Sequence, residues 1–342
     1  MHSILRKKYY ELETQCVIAT KNGNSFQEFD EALHRTGEEI VGDVHNKLLN
    51  SVTALVDLVS PLYFSSEFLK RLSSTDPSSL GNPISEREFN VARDFVENCL
   101  KVNLNKVEWL HIENQIRKSS EGFCISNRDD EHFIFTQDDP FGVTSTDLFV
   151  HELGHAADFS ISRACNDDSL LIRHISLCET IAYYCQYRYL SESGNPVKRQ
   201  GSLGTLLFLY LCISTVRYCL NNDVSLNDFD PEVDIDGSDF YEIIDSYNKR
   251  GMNGREYISG ILNESVKRYG ELTYLIFREI APKFGLILAI LFLDSEPEHM
   301  IELINTNTIN TDLDTFVHAF IPDYFNKINS FESYALKYID NA

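Results

Sequence analysis

Residues 146–159 read TDLFVHELGHAADF, and the pentapeptide His151-Glu152-Leu153-Gly154-His155 within them decides how the chain is read. Residues four apart on a helix lie one turn above each other, so both imidazoles project from one face toward a single ion. Glu152 falls beside that ion and is placed to take a proton from a metal-bound water. This is the HExxH arrangement of two zinc ligands and a general base. The surrounding residues favour a helix: no Pro interrupts 148–161, and Leu148, Phe149, Leu153, Ala156, Ala157 and Phe159 supply apolar surface. Thr144 and Asp147 form a capping-box pattern at its start. Gly154 is the one costly residue, about 1 kcal/mol below Ala in a helix, and implies a close backbone approach there. Two histidines and a glutamate on a buried helix require partners or a metal.

A catalytic zinc takes three protein ligands and keeps one position for water. Working outward, residues 174–190, HISLCETIAYYCQYRYL, form a second helical run, and Asn166 to Ser169 make the turn between the two. Glu179 in this run sits among Leu177, Ile181 and Tyr184, where a lone carboxylate is out of place. It is one candidate for the third ligand; His174 and Asp158 are the others. Upstream, residues 121–140, EGFCISNRDDEHFIFTQDDP, read as a hairpin with strands at 121–126 and 131–136 and a turn at Asn127, Arg128, Asp129 and Asp130. A strand beside such a helix can either hold an extended peptide through main-chain hydrogen bonds or simply cover the core.

Gly122-Phe123-Cys124, the strand Phe133-Ile134-Phe135 and the stretch TDLFVHELGHAAD together resemble the active-site core of the thimet oligopeptidase and oligopeptidase F family, over roughly residues 120–190. The resemblance implies a mainly α, zincin-like (gluzincin) metallopeptidase with a small β-hairpin or sheet beside the active-site helix. It further implies one Zn²⁺ on His151, His155 and Glu179, Glu152 as general base, and a peptide or protein substrate. The family's downstream carbonyl-binding string of histidine and tyrosine has no match in residues 268–293, which offer Tyr269, Tyr274 and Arg278 instead. These three are the candidates for holding the oxyanion, with Tyr183 and Tyr257 behind them. Two rival readings stay open: a non-catalytic module that binds metal and a peptide or protein, and a protease specific for one folded protein, as toxins and effectors are.

The rest of the chain bounds these readings. At 342 residues, with 43% hydrophobic and 12% aromatic content, it is globular in composition. A net charge of −22 argues against a nucleic-acid partner and disfavours an anionic membrane surface. The apolar runs 204–216 and 284–293 are too short to span a bilayer and read as buried helices, so no membrane partner is expected. The N-terminal MHSILRKKYYELE lacks the apolar stretch of a secretory signal, and the 8 cysteines contain no CxxC pair. Both point to a cytoplasmic protein with reduced thiols. An N-terminal helical region is expected over 1–115 and the zinc-binding catalytic region with C-terminal helices over 116–342, possibly as one continuous domain. Helices are expected over 27–72, over 85–118 with a break near Asn103 to Asn105, at 238–250, 254–268, 271–293 and 312–339. A loop is expected at 74–83 and an acidic loop at 221–237.

Overall fold

A computed structural model describes residues 2–74, 84–113, 121–137, 146–192 and 194–341. In chain order the elements are α1 (His2–Lys21), α2 (Gln27–Val41), α3 (Val44–Val59), α4 (Ser66–Ser73), α5 (Glu86–Leu100), β1 (Glu108–Ile112), β2 (Gly122–Ile125), β3 (Phe133–Gln137), α6 (Thr146–Ala164) and α7 (Ile175–Glu192). They continue with α8 (Pro196–Ser202), α9 (Thr205–Asn222), α10 (Tyr241–Asn248), α11 (Gly254–Ile261), α12 (Leu272–Leu275), α13 (Ala281–Leu291), α14 (Pro297–Thr306), α15 (Leu313–Phe320), α16 (Tyr324–Asn329) and α17 (Phe331–Asp340). The protein is mainly α with one small sheet. The chain forms two compact units, Met1–Leu48 with Leu80–Ser193 and Phe292–Thr311, and Leu49–Ser79 with Gly194–Leu291 and Asp312–Ala342.

In the first unit the sheet runs in the order β1-β3-β2, with β1 parallel and β2 antiparallel to β3. The hairpin and its turn therefore stand where the sequence puts them, with Arg128 in the left-handed region at φ 51°. Residues 108–112 correct the helical reading of 85–118: they are a strand. The helix ends at Leu100, and Lys101 at φ 55° breaks it just before the sheet. Ser85 does start that helix, its Oγ accepting from Glu88 N–H. Thr144, residues 75–83 of the expected loop and residues 114–118 of the expected helix lie outside the described residues.

Strand alternation sorts the sheet into two faces. Phe123, Ile125, Phe133, Phe135 and Ile112 point to a core shared with Cys16, Val17 and Ala19 of α1 and with Phe26. The opposite face carries the row Trp109, Ile134 and Cys124. Trp109 stacks edge-on against Phe149 of α6 at 5.0 Å and donates from Nε1 to Thr136 Oγ1 at 2.8 Å. Two buried ion pairs tie the unit together. Arg163 of α6 engages Glu13 of α1, whose carboxylate also accepts from Ser126 Oγ at 2.6 Å and Arg128 N–H at 3.1 Å. Arg173, just before α7, engages Asp158 of α6.

The second unit packs Phe64, Phe68, Tyr210 and Phe331 into one aromatic cluster. Of the acidic stretch 221–237, the first two residues end α9 and the rest is turns and loop with a short 3-10 segment at Asp234–Asp236. The helices expected over 254–268 and 271–293 each contain a π-helical turn, at Leu262–Val266 and Ile276–Ile280. The apolar run 204–216 belongs to a longer helical stretch than its own length suggests. Pro196–Asn222 spans 27 residues, with a window of mean hydropathy 1.6, long and apolar enough by those measures to cross a membrane. That window is 61% buried within the fold, as a core helix would be. Arg217, which closes the apolar run, donates to the Ser60 carbonyl at 2.8 Å.

Candidate metal centre

The centre is built by α6 and α7, which lie side by side and cross at Gly154. A Cβ on Gly154 would stand 2.7 Å from the Ala182 Cα, so only glycine permits this approach. The sequence reading of a close approach by a neighbouring strand or the substrate is corrected in its partner: the approach is made by the neighbouring helix, α7. Its consequence is reach: with the backbones this near, the short side chain of Glu179 spans to both histidines. His151 Nε2 lies 3.5 Å from one Glu179 carboxylate oxygen and His155 Nε2 lies 3.7 Å from the other. The ligand atoms of all three residues fall within 4.8 Å of one another. The side chains are 14%, 15% and 19% exposed, so the point they face borders solvent.

A tetrahedral zinc with bonds near 2.0–2.2 Å holds neighbouring ligand atoms about 3.3 Å apart. The Nε2–oxygen separations sit close to that value, and two imidazoles with one carboxylate are a donor set suited to zinc. The residues fit a divalent metal. The other third-ligand candidates are engaged elsewhere: Asp158 with Arg173, and His174 through Nε2 with the Thr311 carbonyl at 2.6 Å.

Protonation follows from the surroundings. Burial drives the His155 pKa down to about 4, with His151 and Arg173 adding to the effect and Glu179 opposing it. This imidazole is neutral, the form that ligates metal. Burial also works against protonation of His151, but the hydrogen bond to Glu179 and the charges of Glu152 and Glu179 outweigh it and raise its pKa. A metal ion held by His151 and Glu179 would take the place of the His151 proton beside Glu179. Glu152 is 6% exposed on α6, and its charge, after burial itself, raises the Cys124 thiol on β2.

Three residues join the centre that the motif does not contain. Tyr183, one turn beyond Glu179, packs its ring edge-on to His151 at 4.6 Å. Burial, then Glu179 and Glu152, push its phenol pKa up, so its hydroxyl stays protonated within the field of both carboxylates. Gln186 Oε1 stands 3.2 Å from His151 Nδ1, and Gln186 Nε2 donates to Asp147 Oδ2 at 2.9 Å. Helix phase could have found them: Asp147 lies one turn before His151, and Gln186 two turns after Glu179.

The remaining candidates, Tyr269, Tyr274, Arg278 and Tyr257, belong to the second unit. Tyr269 donates to Glu279, Arg278 Nε donates to Tyr274 Oη at 3.2 Å, and Tyr257 packs on Tyr247 at 4.6 Å. No protein-family model, curated protein or solved structure matches this chain.

Proposed function

We propose that this chain is a zinc-dependent metallopeptidase of the gluzincin type, distantly related to the thimet oligopeptidase and oligopeptidase F family, acting on a peptide or protein substrate. One observation carries the reading: His151, His155 and Glu179 converge on one point with ligand spacing suited to zinc, the two histidines on the helix that also carries Glu152. When bound, zinc supplies Lewis-acid polarisation of a carbonyl and a water acid enough to lose its proton near pH 7.

The chain's own residues do the rest. Glu152 accepts the proton of the attacking water and returns it to the departing amine nitrogen. Its burial keeps bulk water from competing for that role. Tyr183, whose ring packs against His151 and whose hydroxyl stays protonated, is the candidate donor for the oxyanion of the tetrahedral intermediate, a contact worth about 3 kcal/mol of barrier in comparable sites. β2 supports substrate alignment: it is an edge of the sheet among the described residues and packs against α6. An extended peptide can pair with such an edge.

The test is Glu152→Gln with metal content and cleavage of a broad peptide mixture read on the same sample. The expected result is wild-type zinc occupancy with hydrolysis abolished. Full turnover in the zinc-loaded variant contradicts the assignment. Zinc bound by the wild type with no cleavage of any peptide favours a binding module instead.

A further inference from the structure

The hydrogen bonds running from Asp147 through Gln186 to His151 have a direction set by chemistry. An ionised carboxylate only accepts, so Gln186 must turn its amide N–H toward Asp147, as the 2.9 Å contact from Nε2 to Oδ2 has it. The amide carbonyl is then left facing His151 Nδ1 at 3.2 Å. A carbonyl also only accepts, so Nδ1 carries a ring proton, and once the imidazole gives up the proton it shares with Glu179 the lone pair lies on Nε2. Nε2 is the atom 3.5 Å from Glu179. Were the amide reversed, its N–H would face Nδ1, the ring proton would move to Nε2, and that proton would occupy the place a metal needs.

We propose that Asp147 and Gln186 are positioning residues that lock His151 in its metal-ligating tautomer, with Asp147 setting the orientation of the Gln186 amide and the amide setting the imidazole. This rests on the zinc-site reading above. The amide passes on the polarity of the carboxylate while keeping the formal charge one side chain away from the imidazole. A carboxylate placed directly on Nδ1–H would make the imidazole a stronger donor to the metal. His155 has no such relay among the hydrogen bonds resolved here. Burial, with the charges of His151 and Arg173 adding to it, holds it neutral against the pull of Glu179.

Three variants separate this role from a merely structural one. Gln186→Leu removes the acceptor of the Nδ1 proton and is expected to weaken zinc affinity about 10–100-fold. Asp147→Asn leaves the amide free to turn either way and is expected to weaken affinity less. The double variant Asp147→Asn/Gln186→Glu moves the charge by one side chain while keeping both hydrogen bonds, and is expected to return zinc affinity to the wild-type value or above. Competition against a chelating dye reads the affinity. In the metal-free protein at alkaline pH, ring ¹⁵N shifts read the tautomer: Nδ1–H in the wild type and the double variant, a mixture in Asp147→Asn. Wild-type zinc affinity in Gln186→Leu, a double variant as weak as Gln186→Leu, or an Nε2–H tautomer in the wild type overturns the proposal. Failure of the wild type to bind zinc, with the Nδ1–H tautomer in place, overturns the zinc-site reading and with it the metal role of the relay.

Discussion

The α6–α7 pair and the segment 267–280 are both rich in polar and ionisable side chains and use them in opposite ways. On α6 and α7, two imidazoles and a carboxylate turn toward one point at 3.5 and 3.7 Å, and the outer nitrogen of His151 is held by Gln186. In 267–280, Tyr269 is spent on Glu279 and Arg278 on Tyr274, with Tyr274 46% exposed. Residue type alone does not mark a site; convergence fixed by rigid, closely packed elements does. The α6–α7 crossing supplies that rigidity through Gly154 against Ala182, whereas 267–280 is divided by a 3-10 turn, Gly270 at φ 72° and a π-helical turn.

The sharpest way to break this contrast is Gly154→Ala. On an ordinary helix the change stabilises by about 1 kcal/mol. Here the added methyl meets the Ala182 backbone, and the sign reverses: a loss of about 1–3 kcal/mol is expected, together with weaker zinc binding as α7 is pushed away. Urea unfolding with a parallel zinc titration checks both. A stabilised protein with unchanged zinc affinity would remove the crossing from the account.

A smaller effect concerns pH. His132 is fully buried; its Nδ1 accepts from Asn127 N–H at 3.1 Å, so Nε2 bears the proton beside Ser160 Oγ, also at 3.1 Å. Burial, then Arg163 and Arg173, hold its pKa well below the usual value. The unfolded chain takes up a proton near pH 6.5 that the folded chain refuses. Its contribution to stability is therefore complete above that pH and is lost as pH falls toward the folded pKa, at about 1.4 kcal/mol per pH unit. In His132→Gln the acid limb of the stability curve becomes shallower by that slope; an unchanged limb would show that the imidazole is not kept neutral.

The smallest effect belongs to the other side of the comparison. Arg278→Ala is expected to shift stability by less than about 0.5 kcal/mol, since its contact with Tyr274 is exposed. Its zinc affinity should equal that of the wild type, as measured by the same dye competition.

How much of this was legible in the sequence follows from the range of the interactions. The helix period alone places His151, Glu152 and His155 together, and a short turn with an isolated carboxylate in an apolar run points to Glu179. The β2–β3 hairpin is local as well, with its turn residues written between its strands. The local sequence reads as helix at β1 because its five residues pair with β3 across 25 positions of register, Glu108 opposite Phe133, a contact that no local pattern announces. Helix α1 falls in the helical region expected over 1–115, but no local pattern announces that its Cys16, Val17 and Ala19 cover one face of the sheet. Asp147 and Gln186 escaped for another reason. Each is an ordinary polar residue on its own helix and gains meaning only when both helices are phased against His151.

The central claim is that His151, His155 and Glu179 hold one divalent metal, and anomalous diffraction at the zinc edge from crystals grown with stoichiometric zinc tests it most directly. The account predicts one strong peak about 2.0–2.2 Å from His151 Nε2, His155 Nε2 and a Glu179 carboxylate oxygen. A zinc peak on other residues, or none in crystals where zinc was supplied, contradicts it.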